Sequence, residues 1–137
     1  TPQRVVDTRD GGTVDPAGAV LRLDITGRSD VPDDATAAVY NLTSVDATAP
    51  GFATSYPCDV SRPTVSNLNY APGGVTANGT ITKLSSGGEL CIYHLAPTNL
   101  IVDLIGYTRG ATHYRPITPT RVLDTRDGWR RRCEPTA

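Results

Sequence analysis

The sequence predicts an all-β chain folded as a two-layer antiparallel β-sandwich, Ig-like or jelly-roll-like, with roughly eight strands. Three observations point there. Apolar and polar residues alternate through most of the chain, and no long run keeps the roughly 3.6-residue period of a helix. Turn signals recur roughly every eight to twelve residues, the rhythm of short strands in sandwiches and barrels. Gly 13 and Pro 11 in 137 residues supply the turns that many strands need.

The elements follow in order. In "RVVDTRDGG" (4–12), Val5 and Val6 are apolar anchors, and Arg4, Asp7, Arg9 and Asp10 mix the two signs. The run reads as an edge strand followed by a loop pinned by Asp–Arg pairs, since an Arg fork can hold one carboxylate at two points. In "VLRLDITG" (20–27), Leu21, Leu23 and Ile25 share one face while Arg22, Asp24 and Thr26 share the other, which predicts a half-buried antiparallel strand. "PDDATAAV" (32–39) hints at a helical turn, but β-branched residues follow at once. "TAAVYNLTSV" (36–45) is a strand ended by the turn "DATAPG", and "GFATSYPC" (51–58) is its expected hairpin partner. "TVSNLNYAPGG" (64–74) runs into a Pro-Gly-Gly break. "TANGTITKLSSGGELCIYHL" (76–95) predicts two strands of a hairpin around "SSGG". "TNLIVDLIGYT" (98–108) places Leu100, Val102 and Leu104 on one face and Ile101, Ile105 and Tyr107 on the other, with Asp103 interrupting the second. A run apolar on both sides predicts a central strand between two layers.

One phrase occurs twice. "TPQRVVDTRDG" (1–11) returns as "TPTRVLDTRDG" (118–128), changed only at Gln3/Thr120 and Val6/Leu123. Residues 1–115 therefore read as the sandwich, 116–128 as a second copy of the opening motif, and 129–137 as a divergent tail. The expected ion-pair corner is Arg4, Asp7 and Arg9 in the first copy and Arg121, Asp124 and Arg126 in the second. The second copy has three readings: the opening of a following module, a strand that closes its own sheet, or a strand (Arg121, Val122, Leu123, Asp124) that docks on a neighbour. Docking that does not close into a ring would build a filament.

Composition excludes several classes. A net charge of −1, with only Arg130-Arg131-Arg132 as a basic cluster, lacks the footprint of a nucleic-acid binder. No apolar run is long enough to span a membrane. His94 and His113 complete no nucleophile–base arrangement, no G-x-S-x-G occurs, and no carboxylate pair stands out, so no enzyme and no catalytic residue is expected. No zinc spacing is present. Calcium at Asp7, Asp10 and Asp15 would lack the dense, regular oxygen ligands of a recognised loop, so neither cofactor nor metal is expected. A sugar platform would draw on Tyr70 with Asn67 and Asn69, although strand tyrosines usually pack with their hydroxyls satisfied. Three cysteines suit one disulfide with one left over. A bridge between Cys58 and Cys91 would stabilise by roughly 3–4 kcal/mol. The alternative is two buried free thiols.

The blocks "RVVDTRDGG", "VPDDATAAVYNLTSVDATAPGFATSYPCD", "SNLNYAPGGVTAN", "ELCIYHLAPTNLIVDLIGY" and "YRPITPTRVLDTRDG" resemble, in this order, a repeat domain of secreted and cell-surface proteins, chiefly of actinobacteria and related bacteria. The resemblance runs from about Arg4 to Gly128. It implies an extracellular location, tandem or single occurrence beside other surface domains, and a Cys58–Cys91 bridge. Where the family has a longer apolar run, Asn78-Gly79 interrupts this chain, and an irregular strand is expected. Cys133 matches no family position. The function expected is a non-catalytic extracellular structural or adhesive module that spaces or presents other parts. Its partners would be neighbouring modules or copies of itself. The alternatives are a self-assembling subunit of a filament, sheath or coat, and a carbohydrate-binding module for cell-surface polysaccharide.

Overall fold

The computed structural model describes residues 1–12, 14–28, 30–110, 114–122, 124 and 126. Eight strands are present: β1 (Gln3–Asp7), β2 (Val20–Asp24), β3 (Ala35–Val45), β4 (Gly51–Pro57), β5 (Leu68–Tyr70), β6 (Thr76–Lys83), β7 (Glu89–His94) and β8 (Asn99–Arg109). A short 3-10 turn (Thr8–Gly11) follows β1. The strands form two four-stranded antiparallel sheets, ordered β1-β8-β3-β6 and β2-β7-β4-β5. That order pairs β1 with β8, β2 with β7, β3 with β6 and β4 with β5. It is the arrangement of a jelly roll, two interlocked Greek keys, and not that of an Ig-like sandwich.

The alternation along each strand builds the core. From one sheet, Ala38, Tyr40, Leu42, Leu100, Val102 and Leu104 point inward; from the other, Leu23, Ala53, Leu68, Tyr70, Leu90 and Ile92 meet them. Tyr40 is fully buried and its hydroxyl shares a 2.9 Å hydrogen bond with Thr82. Burial pushes its pKa up to about 12.

Several expectations need correction. β3 and β4 are not hairpin partners, and neither are β6 and β7; each pair is split between the two sheets. The "SSGG" turn is real, with Gly88 N donating to Ser85 O (2.9 Å) and Ser85 N to Glu89 O (2.9 Å), but it carries the chain across the sandwich. β8 is central within its sheet, between β1 and β3, but its second face is covered only in part: Ile101 is 6% exposed and Ile105 54%. No helix forms over 32–39; Ala35 N donates to Pro32 O in a turn, and β3 begins. β6 passes through Asn78-Gly79 unbroken, with Gly79 opposite Asn41 of β3. The strand tolerates this glycine because ladder bonds come from the backbone and β6 is an edge with a single partner.

Candidate functional site

Among the described residues, β1 is an edge strand whose sole ladder partner is β8. The register sets Gln3 opposite Leu104, Arg4 opposite Asp103, Val6 opposite Val102 and Asp7 opposite Ile101, with a bulge between Arg4 and Val6. Val5 and Val6 pack against the margin of the core.

One guanidinium ties this edge together. Arg4 forks onto Asp103, Nε to Oδ1 at 2.9 Å and Nη2 to Oδ2 at 3.2 Å, while its Nη1 reaches Asp7 Oδ2 at 3.1 Å. Asp7 also accepts from Arg9, through Nε (2.8 Å), Nη2 (2.5 Å) and the backbone N–H (3.2 Å). Hydrogen bonding from Arg9 is the main reason that the Asp7 carboxyl is held down at about 2, against the opposing effect of burial. Thr8 clips the turn to β8: its Oγ1 accepts from Leu100 N (3.0 Å) and donates to Asn99 Oδ1 (3.1 Å). Gly12, at φ 74°, closes the turn with its N–H on Arg9 O (2.9 Å). Exposed ion pairs of this kind contribute little energy singly. Their geometric effect is larger, because forked and chained pairs fix the register of an edge strand.

The second phrase rebuilds the corner outside any strand, against the β4–β5 side of the second sheet. Arg121 Nη1 reaches Asp124 Oδ2 at 2.9 Å; Arg126 supplies Nε (2.8 Å), Nη2 (2.5 Å) and its backbone N–H (3.1 Å) to the same carboxylate. The Asp124 carboxyl is driven well below the usual range, chiefly by Arg126. Residues 114–122 carry no strand. Arg121 and Arg126 line a cleft of about 400 Å³ with Phe52, Arg62 and Asn69, over the β4–β5 side of the other sheet. Two differences from the first phrase stand out. Val122, the equivalent of half-buried Val5, is 95% exposed. Among the described residues, Arg121 has no second carboxylate matching Asp103. Leu123 lies outside the described residues, as do the tail 129–137 with Cys133, and His113.

The other candidates divide. Cys58 and Cys91 lie at disulfide distance, S–S 2.11 Å and Cα–Cα 5.0 Å, joining the end of β4 to β7. Tyr70 offers no ring face to a sugar: it is 5% exposed, its hydroxyl donates to Ala96 O (2.8 Å) and accepts from Ala96 N (3.2 Å), and its ring lies over Gly51. Asn67 is spent on the backbone, its Oδ1 accepting from Ser55 N at 2.8 Å; only Asn69 of the three is exposed. The sugar platform centred on Tyr70 is therefore corrected to an internal polar anchor. Asp7 is committed to two guanidiniums, which compete with any cation, while Asp10 lies exposed and Asp15 half-buried. Among the described residues, no group of three His, Cys, Asp or Glu is placed to hold a metal. His94 is buried, with Nδ1 donating to Ala96 O at 3.0 Å.

Three features of the site escaped sequence reasoning: Asp103 as receptor of the Arg4 fork, the Thr8–Asn99 clip, and Arg62 stacked over the Tyr93 ring at 3.9 Å. Only Asp103 left a signal, as the lone charge in an apolar strand. Comparison with family models, curated proteins and solved structures gives no match. No helix among the described residues is long and apolar enough to cross a membrane.

Proposed function

We propose that this chain is a non-catalytic extracellular module whose role is structural or adhesive: it spaces or presents the parts joined to it. The observation that carries this reading is the corner built twice, once where β1 closes the sandwich and once beyond β8. A motif that both starts a domain and recurs after it suits a unit used in series. The Cys58–Cys91 pair supports an oxidising compartment, where small sandwiches benefit from such a staple. The resemblance to repeat domains of bacterial surface proteins points the same way.

A self-assembling subunit is the second reading, favoured by the exposed Val122 in the second phrase. Light scattering across a concentration series, with reductant in a parallel run to exclude Cys133 cross-links, separates the two. A spacer keeps monomer mass at every concentration. Mass that grows with concentration under reductant replaces it with the assembly reading. A parallel pull-down on insoluble cell-surface polysaccharide should leave the chain in solution; retention would make it a binding module instead.

A further inference from the structure

Each chain holds two phrases of nearly the same sequence and one β8 edge of the shape that fits them. The first phrase sits on that edge through the Arg4–Asp103 fork, the Thr8 clip and half-buried Val5 and Val6. The second carries an equivalent residue at every one of these positions: Arg121, Thr125, Val122 and Leu123. Its corner is already formed, with hydrogen bonds matching those of the first within 0.2 Å, such as 3.1 Å for Arg4–Asp7 against 2.9 Å for Arg121–Asp124. Among the described residues, what it lacks is what the edge provides: a carboxylate for the rest of the Arg121 fork, and cover for Val122.

We propose that the β8 edge is a recognition surface for this phrase, and that residues 120–126 of the same chain exchange with β1 on it. In the exchanged state Thr120 faces Leu104, Arg121 faces Asp103, Leu123 faces Val102 and Asp124 faces Ile101, the register that Gln3, Arg4, Val6 and Asp7 hold in β1. The tether allows this. β8 ends at Arg109, and the return to a position opposite Leu104 covers about 17 Å of strand. The ten residues 110–119 can reach roughly 33 Å when extended. Only two side chains differ between the competing strands, so they compete for the same contacts, with β1 the favoured occupant in the unaltered chain.

Exchange within the chain is favoured over exchange between copies. A tethered strand sees the edge at an effective concentration in roughly the millimolar range. A second copy offers one more edge but two more phrases, so pairing between copies adds no ladder that the separate chains lack. The occupied edge is thus guarded by its own occupant, and whichever phrase is displaced becomes the free one. The exchange does not depend on the spacer role.

Hydrogen exchange on the whole chain tests this, with native mass recorded alongside. In the unaltered protein, residues 3–7 should be more protected than residues 120–124. Arg4→Ala removes the fork from the first phrase alone. Protection should then move: residues 3–7 exchange about tenfold faster and residues 120–124 about tenfold slower, at unchanged monomer mass. Adding Arg121→Ala to that variant should return residues 120–124 to fast exchange. Asp103→Asn, which weakens the receptor, should loosen whichever phrase is bound. If Arg4→Ala frees residues 3–7 while 120–124 stay fast, the second phrase does not fit the edge and the proposal fails. Protection of 120–124 that appears only with doubled mass would also overturn it, because the exchange would then lie between copies.

Discussion

Removing the Cys58–Cys91 cross-link gives a sharply defined change in stability. The bridge encloses a loop with a sequence separation of 33, which contains β5 and β6. The β4–β7 ladder already holds the two chain segments together, with Tyr56 opposite Cys91 and Pro57 opposite Leu90. Loss of the bridge should therefore leave the folded state nearly unchanged and act on the unfolded chain. For a loop of that length the chain-entropy relation gives about 12.5 cal/mol/K, or about 3.7 kcal/mol at 25 °C. A cooperative unit of about 110 residues melts with an entropy of about 0.23 kcal/mol/K, so Tm should fall by about 16 °C. The double variant Cys58→Ala/Cys91→Ala is preferable to reduction, because no lone partner remains for Cys133. Urea unfolding should show a lower midpoint and a slightly larger m-value, as the released unfolded chain expands. A loss below about 1 kcal/mol with an unchanged m-value would refute the reasoning; the bridge would then be constraining the folded state or nothing.

Tyr70→Phe orphans the Ala96 N–H, while Ala96 O keeps the His94 Nδ1 donor, and should cost about 1–3 kcal/mol in urea melts. Gly51→Ala would set a Cβ 2.6 Å from the Tyr70 ring and hydroxyl, at a cost of about 1–3 kcal/mol by overpacking. In a double-mutant cycle the Gly51 and Tyr70 changes should be non-additive; strict additivity would argue against their contact. Asp7 gives an acid limb: its folded pKa, about 2, lies below the ordinary 3.8, so its contribution is present above pH 3.8 and is lost as pH falls towards 2. Asp7→Asn should flatten that limb of the urea midpoint against pH. Tyr40 gives an alkaline one: raised from 10.0 to about 12, it ionises first in the unfolded chain, so stability declines above pH 10 and Tyr40→Phe should soften the decline.

The layers of this fold were more legible than its wiring. Alternation told which side chains of β2 and β8 face inward, and Leu23, Leu100, Val102 and Leu104 are in the core as the pattern requires. It could not tell which sheet each strand joins. The turns at "DATAPG" and "SSGG" are set by local chemistry, whereas pairing β3 with β8 and β7 with β2 depends on residues far along the chain. That is why two local turns read as hairpins in the sequence but are crossings between sheets in the structure. Tyr70 failed for a similar reason. Its burial is decided by Gly51 across the β4–β5 ladder, a glycine whose missing side chain leaves room for the ring. In the candidate site, opposite charges at short spacing made the Asp7 corner readable, because its partners Arg4 and Arg9 are neighbours in sequence. Its long-range half, the fork from Arg4 to Asp103, joins residues 99 apart and was visible only as one carboxylate interrupting an apolar strand.

The pairing of the first strand with the last also decides how the domain bears tension. β1 runs antiparallel to β8, so Gln3, where the sandwich is entered, and Arg109, where it is left, lie towards the same end of one sheet. A pull applied through these two points does not slide the strands past each other and load all their hydrogen bonds at once. It peels β1 away one bond at a time, starting at Gln3 and stopping first at the Arg4–Asp103 fork. A row of such domains would yield early and gradually under load, with the Cys58–Cys91 link, outside the peeled strands, keeping the rest of each domain folded as its first strand lets go.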